Sequence, residues 1–412
     1  MQPNRAWIVA LCWLTVVFEG FDIVALGASI PTLLNTAHAG MTALDATFIA
    51  TLSLVGVGLG AALIGPISDR FGRRVPLMAC VLVFSIFTFL FPLMPTVALL
   101  ALVRFAAGLG LGACMPVSLT MMQEAAPSSG KAHSSTLTMT GYHAGAVTAA
   151  LVALLAGAHW EWLFYGGGIL GLVMIPVMWA KLPETHRAVA AKPAGAAASA
   201  APAVRGRDLL RKPYLPVTLG LWVAAFMGLL LVYGLNTWLP KLMGEAGYNV
   251  SDSLVMLLIL NVGAIAGLLV GGRVADRVGV KKIATIWFLI AAVMLATLSI
   301  RMESQLVLNV AVLFTGIFVF SAQVLVYGFV GYLYPSNVVG TGMGLVAGVG
   351  RLGAIVGPMA TGALVSAGVA YPWGFYFFSA VAVLGALAVL MIPQARSRKQ
   401  AAAAAQASGA GA

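Results

Sequence analysis

The chain has 412 residues, of which 61% are hydrophobic and only 8% charged, with a mean hydropathy of +1.00. A water-facing surface needs roughly a quarter of its residues charged, so a soluble globular domain is excluded and lipid must cover most of the exterior. A net charge of +11 would suggest nucleic acid in a soluble protein, but the way the charge is distributed excludes that partner.

A spanning helix needs about 20 largely apolar residues. In chain order that length predicts twelve spans: 7–34, 45–65, 75–93, 97–120, 133–157, 160–180, 214–239, 252–274, 281–300, 305–334, 341–368 and 372–393. The first is too long for a secretory peptide, lacks a small-residue cleavage site, and is read as a retained helix. Cys12, Cys80 and Cys114 fall inside apolar segments without metal or redox spacing and read as small buried residues. Nineteen of the 23 Lys and Arg fall on one side of the weave; Arg104 and Arg351 lie within spans, and Lys241 and Arg301 lie opposite. By the positive-inside rule the basic side is cytoplasmic, with both termini there, as expected of a multi-pass protein of a bacterial inner membrane.

Residues 182–213, with AKPAGAAASAAPAV followed by RGRDLLRK, read as a flexible cytoplasmic linker between an N-terminal bundle (1–181) and a C-terminal bundle (214–393). The tail, 394–412, reads as disordered, although its alanines could form a frayed helix. The chain also repeats itself across the linker. Gly65-Pro-Ile-Ser-Asp69-Arg70-Phe-Gly72 after span 2 matches Gly272-Arg-Val-Ala-Asp276-Arg277-Val-Gly279 after span 8, an offset of 207 shared by the starts of spans 1 and 7. The fold class expected is therefore an all-α membrane protein of two pseudo-symmetric six-helix bundles. Such parallel repeats place a substrate site between the halves near the midplane.

Charges inside the spans carry the chemistry, because an ionisable group at membrane depth is functional by default. Glu19 and Asp22 stand at i and i+3, so they share a helical face about 18–23 Å from the helix start. Two adjacent carboxylates oppose each other's ionisation, so one should hold a proton readily; a solvated pair in an aqueous vestibule is the alternative. The repeat aligns Tyr142-His143-Ala-Gly with Gly350-Arg351-Leu-Gly, setting a titratable cation and a permanent one at the same depth. Arg351 suits a bidentate clamp on a substrate carboxylate, or a buried pair with a carboxylate of span 1, and the two could alternate. His143 could bind substrate, carry a proton, or make an interhelical bond. Arg104 needs a partner at its depth. Gly108, Gly110 and Gly112 read as close helix packing and not as a dinucleotide loop, since no strand precedes them. Tyr142, Trp222, Tyr233, Trp238, Phe329 and Tyr332 are aromatic candidates for a pocket, with interface anchoring as the alternative for Trp238 and lipid-facing belts for the others.

The duplicated G-x-x-x-D-R-x-G sequence with basic residues behind it resembles the signature of the major facilitator superfamily. That resemblance implies a cytoplasmic gate built from Asp69, Arg70 and Arg73, with Glu124 as partner and Asp276 and Arg277 repeating the pattern; topology alone would explain only the arginines. More narrowly, Glu19-Gly-Phe-Asp22, the run from Arg104 to Pro116, Asn236-Thr-Trp-Leu-Pro240, Gln323 and Gly350-Arg351 to Pro358 resemble the aromatic acid:proton symporters over nearly the whole chain. Position 19 is Glu where that family usually has Asp, and the 335–343 loop lacks a common arginine. The resemblance implies uptake of a benzoate- or hydroxybenzoate-like carboxylate with protons by alternating access. Glu19, Asp22 and Arg104 would couple protons; Arg351, His143, Tyr142, Gln323, Asn236 and Tyr233 would bind substrate; a monomer would suffice. Transport of another organic acid, or proton-driven export, remains open, the absence of a Gly-Pro pair in span 5 favouring import. No enzyme, cofactor or metal is expected, because no nucleophile–base pair occurs and the five His, at 38, 133, 143, 159 and 186, are scattered.

Overall fold

The computed structural model describes residues 5–36, 38–156, 159–186, 204–248 and 250–393. Among them run twelve long helices: α1 (Arg5–Asn35), α2 (Ala43–Phe71), α3 (Arg74–Leu90), α4 (Val97–Ala125), α5 (Lys131–Ala156), α6 (Glu161–Lys181), α7 (Leu215–Glu245), α8 (Val250–Val278), α9 (Val280–Thr297), α10 (Gln305–Leu333), α11 (Val339–Ser366) and α12 (Trp373–Met391). No strand occurs among the described residues, as expected where lipid cannot satisfy a sheet edge. Eleven of the helices are long and apolar enough to cross a membrane. The exception is α5, whose first half carries Ser134, Ser135, Thr136, Thr138, Thr140, Tyr142 and His143. Its hydroxyls are satisfied within the protein: Thr138 donates to the Ser134 carbonyl at 2.7 Å, and Ser135 accepts from the Gln123 amide at 2.7 Å.

The packing repeats itself six helices on. In the first half α1 packs on α5, α2 on α4 and α3 on α6; in the second, α7 packs on α11, α8 on α10 and α9 on α12. Between halves, α2 meets α11 and α5 meets α8. The outer helices turn large apolar residues outward, among them Trp162, Leu170 and Trp179 on α6, and Leu384, Leu387 and Leu390 on α12.

Close crossings set the depth of the site residues. A Cβ on Gly20 would stand 2.0 Å from the Tyr142 carbonyl oxygen, so α1 and α5 touch through backbone where Glu19 projects. The glycines of α4 act as expected: a Cβ on Gly108 or Gly112 would meet the α2 backbone at Ser53 or Val57, and one on Gly110 would meet α3 at Phe84.

Helices α2 and α8 run further than hydropathy predicts. α2 passes through Pro66 to Phe71 and breaks at Gly72, where φ is +87°; α8 breaks at Gly279, where φ is +114°. That left-handed backbone favours glycine, so the turn falls there and Asp69 and Asp276 ride on the last helical turns. Of the expected linker, 187–203 lie outside the described residues, as does the tail from 394. The near end is tied down: the Glu184 carboxylate accepts the N–H groups of Arg73 at 2.8 Å and Arg74 at 3.2 Å, capping the start of α3. At the far end a 3₁₀ turn, Gly206–Leu210, buries Leu209 against the second bundle.

Candidate functional site

Two buried ion pairs lie near the helix midpoints. Asp22 and Arg104, both within the first half, meet at 2.7 and 3.1 Å through two N–H···O contacts. Thr88 donates to Asp22 at 2.9 Å, and the Arg104 guanidinium lies 5.6 Å from the Phe91 ring and 5.9 Å from that of Phe164. This pair is sealed within the first half, where Arg104 also reaches Ser53 of α2 at 3.4 Å. The second pair joins the halves: Arg351 Nη2 on α11 donates to Glu19 Oε1 on α1. Arg351 Nη1 donates to the Tyr233 hydroxyl at 2.6 Å, which lies 3.3 Å from the Tyr142 hydroxyl. Glu19 Oε2 and Arg351 Nε are buried without a hydrogen bond. Glu19 and Asp22 are 0% and 3% exposed, so the pair does not face an open vestibule. Each carboxylate has its own guanidinium, which offsets the mutual repulsion on which the sequence argument for a shared proton rested.

Arg351 opens onto a cavity between the halves, lined by Met115, Met139, Tyr142, His143, Leu229, Val232, Tyr233, Phe320, Gln323, Val324, Tyr327 and Arg351. Five of the six residues expected to bind substrate therefore share one wall system: Arg351, His143, Tyr142, Gln323 and Tyr233. Asn236 does not line it; its amide bonds the Val232 carbonyl at 2.9 Å and accepts from Asn261 at 3.0 Å. His143 lies edge-on to Phe320, 5.3 Å between ring centroids, across the interface between halves. Tyr327 escaped the sequence reading because an aromatic in an apolar span defaults to a lipid-facing role. Its signal was spacing: Phe320, Gln323 and Tyr327 stand at i, i+3 and i+7 on one face of α10. Trp238, also an aromatic candidate, bonds the Pro358 carbonyl at 2.8 Å and stays outside the cavity. Among the described residues no three His, Cys, Asp or Glu converge as metal ligands.

A second constellation closes the basic end. Asp69, on α2, accepts the N–H groups of Gly340 at 3.1 Å and Thr341 at 2.6 Å and the Thr341 hydroxyl at 2.5 Å, so it caps α11 of the other half. Asp276, on α8, accepts the N–H groups of Ala132 at 3.0 Å and His133 at 2.9 Å, capping α5, and also the Tyr332 hydroxyl at 2.7 Å. Both carboxylates complement the positive end of a helix dipole. Arg73 holds Asp69 at 2.6 Å and Glu124 at 2.9 Å. Arg70 and Arg277, expected beside the aspartates, are exposed; Arg70 lies over the Phe71 ring at 5.2 Å. Glu184 and Thr185 were missed, since a linker predicted to be flexible gives no reason to look there; Thr185 donates to Glu124 at 2.6 Å.

Two six-helix halves around a central cavity, with charged residues at mid-depth, define a membrane transporter fold. The family model "Major Facilitator Superfamily" matches residues 12–350 and again 256–411, and the chain belongs to that superfamily, among its aromatic acid transporters. It is 32% identical to a benzoate transport protein of Acinetobacter baylyi, covering 96% of this chain and 91% of that protein. To a gallate transporter of Pseudomonas putida the identity is 30%, with 95% and 92% covered, and to a 3-(3-hydroxy-phenyl)propionate transporter of Escherichia coli it is 31%, with 95% of each covered. Among solved structures, a proton:xylose symporter superposes with a TM-score of 0.74 at 16% identity, covering 94% of this chain and 96% of that one. A human organic anion transporter reaches 0.75 at 16% identity, covering 94% and 100%; both likenesses bear on the fold alone.

Proposed function

We propose that the protein imports a small aromatic carboxylate together with protons by alternating access, as a single chain in a bacterial inner membrane with both termini cytoplasmic. The observation that carries this reading is the Arg351–Glu19 bond, which ties the halves together at the wall of an otherwise largely apolar cavity. Arg351 can face one carboxylate at a time with a given pair of N–H groups. A substrate carboxylate that takes Arg351 displaces Glu19, and a displaced Glu19 buried in low dielectric is relieved by a proton. Substrate binding and proton binding thereby become one event. Tyr233 and Tyr142 steady the guanidinium, and His143 contributes an edge to the aromatic wall. Asp22 and Arg104 form a second coupling pair that never meets the cavity directly, so protonation of Asp22 acts by loosening α1 from α4.

The two bundles, 1–181 and 214–393, move against each other, joined through 182–213. With Asp69 and Asp276 capping helices of the opposite half, the basic, cytoplasmic end is closed. Arg73 and Glu124 hold Asp69 in place. The ~30% relatives named for benzoate, gallate and phenylpropionate support an aromatic acid over an aliphatic one.

The test is uptake of labelled benzoate, hydroxybenzoates, phenylpropionates and aliphatic acids by proteoliposomes, with and without an inward pH gradient. Accumulation of an aromatic acid only when the outside is acidic supports the reading. Accumulation driven by the opposite gradient supports export, and transport of aliphatic acids alone removes the aromatic assignment.

A further inference from the structure

Deep in the cavity wall, α10 presents two polar side chains that the carboxylate clamp does not use. Gln323 and Tyr327 are 2% and 1% exposed, and both line the cavity. Gln323 and the Tyr327 hydroxyl lie within hydrogen-bonding reach of each other, and neither the Gln323 amide atoms nor the Tyr327 hydroxyl makes an aligned hydrogen bond to any other group. Three such atoms in one apolar wall are unusual, because buried polar groups are nearly always fully hydrogen-bonded. The backbone makes room for them. A Cβ on Gly228 of α7 would stand 1.8 Å from Gln323 Oε1, so only a glycine there lets the amide lie where it does.

We infer that Gln323 and Tyr327 form a hydroxyl-recognition subsite, so that the protein selects ring-hydroxylated aromatic carboxylates over the unsubstituted ring. The inference rests on the proposed carboxylate function of the same cavity. A phenolic hydroxyl is the group whose bonding pattern fits: it donates to Gln323 Oε1 and accepts from the Tyr327 hydroxyl. A second carboxylate could only accept, and would leave Oε1 bare. The surrounding side chains, Leu229, Val232 and Val324, suit the ring itself. Sites built to bond a substrate hydroxyl reject analogues that lack it much more strongly than apolar pockets reject size changes.

The test is calorimetric binding to the purified full-length protein of benzoate, 2-, 3- and 4-hydroxybenzoate, in wild type, Tyr327→Phe, Gln323→Leu and Gly228→Ala. At least one hydroxylated isomer is expected to bind wild type about tenfold or more tightly than benzoate. In each variant the affinity ratio of that isomer to benzoate is expected to fall about tenfold, toward unity. Tyr327→Phe removes one oxygen and keeps the packing, so it carries the result if Gln323→Leu fails to fold. Equal wild-type affinities for benzoate and every isomer, or loss in the variants that leaves the ratio unchanged, overturns the subsite while leaving the carboxylate reading intact. Failure of all four acids to bind wild type overturns both.

Discussion

Arg351 and Glu19 give the residue scale its sharpest consequences. Arg351→Lys keeps the charge but loses the planar fork, and affinity for an aromatic carboxylate is expected to fall about ten- to a hundred-fold, with Arg351→Ala falling further. Wild-type affinity in a folded Arg351→Ala protein, read by calorimetry, would eliminate the clamp. Glu19→Gln removes the competitor for the guanidinium. If substrate takes Arg351 from Glu19 as proposed, anion binding takes up a proton in wild type, and apparent affinity is expected to rise as pH falls. In Glu19→Gln that slope is expected to flatten while gradient-driven accumulation is lost; an unaltered slope returns Glu19 to a structural role. Asp22→Asn is expected to abolish accumulation yet spare counterflow exchange. It also leaves Arg104 buried against a neutral amide, a change on the order of 3 kcal/mol, so its melting temperature must be measured beside its transport. The sequence singled out all four charges because each is expensive at its depth. It could not say which arginine meets which carboxylate, since Glu19 and Asp22 share one face and only the packing of α4 and α11 decides the pairing. Tyr327 stayed hidden for a related reason: spacing marks a face, and nothing in α10 alone tells a cavity face from a lipid face.

Helix length and number were legible, because twenty apolar residues leave a backbone few alternatives in lipid. Even α5 was found, although its polar half makes it the least apolar of the set. The ends were less legible. Hydropathy fades at Gly65, but the helix does not, since its last turn is held by bonds to other elements: Asp69 accepts from Thr341 of α11 and pairs with Arg73. Glycine fixes where the turn comes. Gly72→Ala would strain a backbone with φ of +87° and drive its Cβ to 2.3 Å from the Glu184 carboxylate. It is expected to loosen the cap on α3 and lower the thermal midpoint, whereas Gly27→Ala, with no atom within 4 Å of its Cβ, is not. Equal midpoints for the two variants would argue against the cap.

Across the whole molecule, the repeat at an offset of 207 was readable from two eight-residue strings, but its purpose was not. Each aspartate reaches across the interface to the first N–H groups of a helix in the other half, a target that carries no side-chain signature. Asp69→Lys would set a cation against the positive end of α11, and the basic end is expected to open. Cysteines placed near Thr341 should then label more readily from the basic side; unchanged labelling would return Asp69 to a topological role. Loss of the symmetric contact in Asp276→Asn, which keeps an acceptor but drops the charge, is expected to produce a smaller shift in the same direction.

The proposed exchange of partners at Arg351 would also fix how the carrier responds to membrane voltage. Before substrate arrives, the guanidinium and Glu19 cancel; in the proposed loaded form the guanidinium and substrate anion would cancel while Glu19 is neutral. The charge crossing with the cavity is zero in both loaded and empty forms, so a potential that acts on a net charge with about 2.3 kcal/mol per 100 mV finds nothing to pull. Transport through this pair alone is electroneutral, and a pH difference of one unit sets a ceiling of about tenfold accumulation. If Glu19 alone carries a proton, a potassium diffusion potential imposed with valinomycin leaves the rate unchanged. Acceleration by an interior-negative potential would mean that a second proton travels, and Asp22, sealed against Arg104, is the residue placed to carry it.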